Sequence, residues 1–458
     1  MVLPEQRASL DDLVAAGKKL RDSIPLDSHA GWEPPKNRRD PVSILIEQNK
    51  TRVLQLIPIR FGRMMQSPFT FFRGSAAVMA ADLARTPTSG IRVQCCGDCH
   101  VLNFGAFATP ERKVIFDIND FDETLPAPWE WDIKRLAASF VLAGRSNKLR
   151  RKNIRALVEE LAAAYRTKML EFARMNVLDV WYAHMDAEAV FAEMKDREWI
   201  EQTKGRIKKA QRESAEHILP AMTTMKGGRL VIKDQPPLIF HIGERDFADK
   251  KQEQAALEGF RTYRKSLPED RRILFDRFQF IDLAFKVVGI GSVGTTCGVA
   301  LFMSYDKDPL FLQVKQANTS VLEPYAGKSE FRHHGQRVVM GQRIMQAVGD
   351  IFLGWGTTTV GKLDVYVRQL RDWKIKPLIE TFDFDRLVTY ARVTGWVLAR
   401  AHARSGKAPE IRGYLGKKET FDNALVKFAS DYADQAERDH AAFLKAIQSG
   451  RINATTQE

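Results

Sequence analysis

The sequence predicts an α+β fold, with a modest strand-rich lobe beside a large helical lobe. Three observations carry that expectation. Strand-like apolar runs at Val299–Phe302 and Leu310–Lys315 are joined through a turn at Asp306-Lys307-Asp308-Pro309. Helical spacing of apolar residues dominates 150–226, 384–404 and 421–447. Two polar motifs rich in Asp and Asn, at 95–105 and 116–123, each follow a strand-like run.

Composition narrows the function classes. The chain has 458 residues, 44% hydrophobic and 28% charged, which suits a globular protein with a large core. No apolar run reaches the roughly 18–20 residues needed to span a bilayer. Acids at Glu5, Asp11 and Asp12 occupy the place of a signal peptide's apolar stretch, so a cytoplasmic protein is expected. The net charge of +13 favours anionic partners. That charge is spread, and its densest run, Lys204–Arg212, reads as a solvated helix face, so nucleic acid is not expected. Oligomeric state is not legible. The Cys96-Gly97-Asp98-Cys99-His100 run fits a haem-attachment or a Cys-x-x-Cys redox or zinc pattern, but haem attachment needs export; core packing is the favoured reading.

Taken in order, 1–60 reads as an accessory segment, with a helix opening at Ser9 and helical spacing over Ser43–Ile59. Arg73-Gly74-Ser75 before the helical run Ala76–Ala84 can bind phosphate or simply fix a loop. Ile91–Cys96 and Lys113–Asn119 read as strands, and Trp131–Ala143 as a helix. After the helical stretch 150–226 come short strands at 229–233 and 237–242, then helix again over 247–278. A helix over about Gly335–Ala347 and a strand at Leu363–Gln369 follow. The expected division is 1–60, a catalytic-loop and helical lobe at 61–278, a Gly-rich-loop nucleotide lobe at 279–375, and completing helices at 376–458.

The motifs point to chemistry on phosphate. Asp98 and Asn103, then Asp117, Asp120 and Asp122, offer hard oxygen ligands that suit Mg²⁺. An Asp beside the metal can take a proton from an attacking hydroxyl. The run Gly289-Ile290-Gly291-Ser292-Val293-Gly294 is a Gly-x-Gly-x-x-Gly pattern followed by a strand, a hairpin and a strand ending at Lys315. Glycine lets backbone approach phosphate, and Lys315 supplies a point charge. Glu323 or Glu330 is expected to hold Lys315 from the next helix.

Two resemblances apply. Ser67-Pro68-Phe69, Phe72-Arg73-Gly74-Ser75, Gly97–Gly105, Phe116–Thr124, Val288–Thr295, Arg368–Asp372 and Ala401–Gly406 resemble the bacterial family catalogued as domain of unknown function 2252. Gly97-Asp98-Cys99-His100-Val101-Leu102-Asn103, Asn119-Asp120-Phe121-Asp122 and Trp131-Asp132-Ile133 distantly resemble aminoglycoside phosphotransferases and related small-molecule kinases. That second likeness implies a protein-kinase-like two-lobe fold binding ATP and Mg²⁺. Asp98 is then the base with His100 supporting the loop, and Asn103 with Asp120 holds the metal, Asp117 or Asp122 being rivals or helpers. Lys315 and the loop Gly289–Gly294 meet the phosphates, and Arg368 and Gln369 lie where the inter-lobe strand meets the adenine. The catalytic loop precedes the Gly-rich loop by about 190 residues, the reverse of the usual order, and implies a circular permutation. The expected function is phosphoryl transfer to a hydroxyl of an unknown acceptor. A non-catalytic nucleotide-binding regulator and an AMP transferase remain alternatives.

Overall fold

The central strands of the sheet are apolar on both faces, and the fold covers both. In the computed structural model, which describes residues 8–212, 215–236, 238–241, 250–287, 289–291, 293–359, 361–370 and 373–455, a six-stranded antiparallel sheet runs in the spatial order Gly354–Thr357, Asp364–Gln369, Pro309–Gln316, Cys297–Ser304, Phe278–Lys286, Ile239–Phe240. Ala300, Phe302, Leu310 and Leu312 point to one face, where Phe260, Tyr263 and Phe275 from helices Lys250–Ser266 and Glu269–Phe275 cover them. Val299, Leu301 and Phe311 point to the other, against Ile218 and Ile232. Period-2 alternation therefore gives two buried faces and a continuous apolar run in sequence.

The helical body is built on Trp129–Ser146, Arg151–Phe172, Phe384–Ala403 and Thr420–Gln448. Phe384–Ala403 lies along Arg151–Phe172 in the most extensive helix–helix packing of the molecule. The N-terminal helix Leu10–Lys19 opens with the expected cap at Ser9, as a capping box with Asp12. It packs on Ala408–Leu415, and Arg21 donates to the carbonyls of Gly413 and Tyr414 at 2.5 and 2.6 Å. The architecture is mixed α+β, with one large and several small antiparallel sheets.

Two smaller sheets carry the Asp- and Asn-rich motifs. Arg92–Cys95 pairs with Leu125–Pro128. Phe104–Ala108 pairs with Val114–Ile118, and a short strand at Met185–Asp186 joins their edge. The chain leaving the large sheet runs into this second hairpin: Ala106 and Ile375 exchange backbone hydrogen bonds of 3.0 and 2.8 Å.

Several elements differ from the sequence reading. The helical reading of 247–278 runs slightly long: helix Glu269–Phe275 ends before Phe278, which opens the strand Phe278–Lys286 leading to the Gly-rich loop, a strand the sequence reading did not assign. Among the described residues, the helical stretch 150–226 breaks into five helices, and its end, Thr223–Lys226, pairs as a hairpin with Arg229–Ile232 across Gly227-Gly228. Ile218, Ile232, Phe260, Tyr263 and Phe275, grouped by sequence with the helical lobe, pack on the large sheet. Ser43–Ile59 is interrupted: helix Pro41–Gln48 gives way to 3₁₀ turns before Ile57–Met64, with Pro58 in the first turn of the second helix.

Candidate functional site

Register explains how residues far apart in sequence meet. Phe104 stands opposite Ile118, so the hairpin places Asn103, just before one strand, beside Asn119, just after the other. The Asn103 carbonyl accepts from Asn119 N at 2.9 Å. The long interval from Asn103 to Asp120 is thus a hairpin excursion with its two ends together.

The loop carrying Asp98 is fixed from beneath. Asp132, buried in the first turn of its helix, accepts from Cys96 N at 2.7 Å and Gly97 N at 3.0 Å. His402 lies 3.4 Å from Asp132, and Tyr165 lies 2.8 Å from the other ring nitrogen of His402. Gly97 has a φ of +81°, and a Cβ there would stand 2.3 Å from the Glu123 carbonyl, so only glycine fits between the two motifs. Asn103 Nδ2 donates to the Asp98 carbonyl at 2.6 Å.

Asp98 itself is half-buried. Arg135 Nε donates to its Oδ1 at 2.8 Å, and Arg135 Nη2 reaches the same oxygen. Its Oδ2 lies 3.9 Å from His100 Nε2. Burial pushes the carboxyl up to about 7 against the pull of Arg135, with Asp120 and Glu123 adding to the rise. His100 Nδ1 accepts from Leu102 N at 3.2 Å, which leaves the proton on Nε2. Burial, with Arg73 and Arg135 nearby, holds His100 neutral, well below its ordinary range.

The second motif meets the large sheet directly. Lys315 is 3% exposed, and its Nζ donates to Asp122 Oδ2 at 2.6 Å and lies 3.8 Å from Asp120 Oδ1. Tyr366 donates to the other Asp122 oxygen at 2.5 Å. Burial alone would raise Asp122, but Lys315 and Tyr366 bring it down to about 2. The same carboxylates override burial at Lys315 and hold its ammonium well above the ordinary value. Arg337, buried in helix His334–Met345, donates to the carbonyls of Thr124, Asp122 and Asn318 at 2.6, 2.9 and 2.8 Å, tying the motif to the end of the Lys315 strand.

One cleft of about 590 Å³ collects these groups. Asp98, His100, Asn103, Asp120, Asp122, Gly289, Gly291 and Arg368 all line it, as do Glu123 of the second motif, Arg73 of the run with a phosphate-binding reading, and Arg52 and Lys376, which no motif included. The Gly-rich loop is held by the N-terminal region: Arg63 donates to the Gly289 carbonyl at 2.6 Å, Arg52 to that of Val293 at 2.6 Å, and Val53 N to that of Gly294 at 2.8 Å. Residues 47–52, read from sequence as accessory, form part of the cleft wall. Such an arrangement can bind phosphates along a backbone loop, offer oxygen ligands to a hard cation and present a carboxylate of raised pKa to a hydroxyl.

This chain belongs to the DUF2252 family. The family, described as uncharacterized proteins conserved in bacteria, matches residues 52–446, a span that includes every cleft residue named above except those between 47 and 51. No curated protein and no solved structure matches.

Other candidate residues of this DUF2252 chain lie elsewhere. Asp117 is buried behind the cleft, paired with Arg400, and accepts from Ala347 N at 3.0 Å; its oxygens are committed to holding helix Phe384–Ala403 against the hairpin. Glu323 does not hold Lys315: that place is taken by Asp122, and one Glu323 oxygen is buried with no partner. Glu330 is exposed. Gln369 lies outside the cleft, its backbone N–H bonded to Asp350. Arg368 bonds Gln313 and the Asn119 carbonyl at 3.1 Å each. Ser292 lies outside the described residues. Cys95, Cys96 and Cys99 are buried free thiols, pushed up by burial, as core packing requires and reactive sulfur does not. Among the described residues no helix is long and apolar enough to cross a membrane.

Proposed function

We propose that this chain is an ATP- and Mg²⁺-dependent phosphotransferase of kinase-like, circularly permuted build, acting on a hydroxyl of an acceptor. The observation that carries the reading is the Lys315–Asp122 contact of 2.6 Å. Two motifs about 190 residues apart in sequence, each with a phosphate-chemistry pattern, become the two walls of one cleft through it.

The residues suit both ligands. Asn103 spends its amide N–H on the Asp98 carbonyl, which leaves its oxygen as the ligand atom. Asp120, with 35% of its side chain exposed, is the more open carboxylate, while Asp122 is engaged by Lys315 and Tyr366. Asn103 and Asp120 would hold Mg²⁺, which supplies charge neutralisation on the phosphates. Gly289–Gly294 would offer backbone N–H groups to the phosphates, with Lys315 as their cation. Asp98 Oδ2 would orient the acceptor hydroxyl and take its proton. The acceptor oxygen bonds to the γ-phosphorus, the bond from that phosphorus to the β–γ bridging oxygen breaks, ADP leaves, and Asp98 passes the proton to solvent. Arg135 and Asp132 position the base without touching substrate.

Mass spectrometry of ATP incubated with the protein, with water as the default acceptor, tests the reading. Slow release of ADP and phosphate is expected, rising with pH toward a plateau above about pH 7 as Asp98 deprotonates. Asp98→Asn should reduce this by roughly 10²-fold or more while ATP still binds. An AMP adduct on the protein or on a small molecule would assign adenylyl transfer instead. Intact binding with no turnover in the wild type under any acceptor would assign a regulator.

A further inference from the structure

Two cations that line the cleft, Arg73 and Lys376, have no part in the nucleotide reading. Three of the cleft's carboxylates have partners of their own: Asp98 has Arg135, Asp122 has Lys315, and Glu123 accepts from the backbone N–H of Val321 at 2.8 Å. Arg135 is thus spent on Asp98, and Lys315 is shared, in that reading, between Asp122 and the nucleotide phosphates. Arg73 and Lys376 are placed the opposite way. Arg73 closes the short helix Pro68–Gly74 and lines the cleft. Its Nε is buried with no hydrogen-bond partner, and among the described residues no carboxylate pairs with it; its nearest aromatic contact, the Phe69 ring, is 6.0 Å away. Burial pushes the guanidinium down, and Asp98 is the first of the charges that act on it. Lys376 is exposed and lines the same cleft, where partial desolvation and the like charges of Arg73, Arg368 and Lys315 lower its ammonium against the pull of Asp120. Arg73 is half-buried, and its buried, orphaned Nε is costly unless a ligand completes it.

Resting on the phosphotransferase reading, we propose that the acceptor is a small anionic hydroxyl compound, carrying a phosphate or carboxylate group. Arg73 and Lys376 bind that group while the hydroxyl faces Asp98. The planar guanidinium suits bidentate capture of either oxyanion, and Lys376 adds a point charge. The distance between the anionic group and the hydroxyl then selects the substrate, because only a compound that reaches from Arg73 to Asp98 presents its oxygen to the base. Neutral sugars and alcohols lack the group that both cations await. The same chemistry could also come from the nucleotide's own phosphates, and the experiment separates the two sources.

Inorganic phosphate and glycerol 3-phosphate are titrated by calorimetry into the full chain saturated with Mg²⁺ and a non-hydrolysable ATP analogue, with glycerol as the neutral control. The wild type should bind both anions and not glycerol. Arg73→Gln should weaken anion binding by roughly tenfold or more, Arg73→Lys should recover part of it, and Lys376→Gln should act in the same direction. The affinity for the ATP analogue should change less than about threefold in each, and unchanged melting temperatures would certify folding. Loss of anion binding once the analogue saturates would overturn the proposal and give the cations to the nucleotide. So would equal binding in wild type and Arg73→Gln, or no anion binding at all. Anion binding that depends on Arg73 in a protein that never binds ATP would leave the anion site standing and sink the phosphotransferase reading alone.

Discussion

The wall bearing Asp98 and Asp122 and the wall bearing Gly289–Gly291 line one cleft, yet they are held by different means. The first is anchored by buried charge. Asp132 caps two loop N–H groups, Thr124 donates to the Cys95 carbonyl at 2.6 Å, Ser139 accepts from Val101 N at 3.1 Å, and Arg337 gathers three carbonyls. The second is tied mainly at its ends, by Arg63 to Gly289 and by Arg52 and Val53 to Val293 and Gly294. Groups that must present a fixed proton acceptor and fixed metal ligands gain from preorganisation. A loop that closes over phosphates gains from fewer constraints. The contrast teaches that loss of a buried contact on the first wall should cost stability, whereas loss of a tie on the second should cost affinity.

The largest expected effect lies behind the first wall. Arg400→Met leaves Asp117 buried and unpaired and should destabilise the protein by roughly 3–5 kcal/mol, read as a shift of the urea midpoint. A shift below about 1 kcal/mol would show that the pair is not structural. Lys315→Met comes next, because it strips Asp122 of its cation. The Asp122 pKa of about 2 lies below the unfolded value of 3.8, so its stabilisation is present above about pH 4 and is lost as pH falls toward 2. That contribution is about 2 kcal/mol. The stability gap between wild type and Lys315→Met should therefore shrink on going from pH 6 to pH 3, and a gap that stays constant would break the assignment. Arg63→Ala is the mildest change. It removes one tie on the second wall and should weaken ATP binding by about three- to tenfold with the melting temperature nearly unchanged. A larger loss of stability than of affinity would reverse the comparison.

Much of the cleft was legible because its residues are chemically distinctive at short spacing. Asp98, Asn103, Asp120 and Lys315 all fall in or against it, and the α+β class follows from periodicity alone. Asp117 and Asp120 show where legibility stops. They are three residues apart in the same motif, but strand alternation followed by a turn sends one into a buried pair with Arg400 and the other into the cleft. No local pattern distinguishes them, since the partner arises more than 280 residues away. Glu323 failed for the same reason: the carboxylate that holds Lys315 is set by tertiary packing, not by the following helix. Arg135 and Arg337 carried no motif and are seen only once helices dock. The strand Phe278–Lys286 did carry a signal, its Phe-Gln-Phe alternation before the glycines, which the sequence reading left unassigned.

The most direct measurement is ATP binding to the folded wild type by calorimetry, with and without Mg²⁺, compared with Asp120→Ala. Binding that requires Mg²⁺ and weakens by about tenfold or more in the variant is the predicted result. No binding at millimolar ATP, or affinity indifferent to both Mg²⁺ and Asp120, would contradict the nucleotide site.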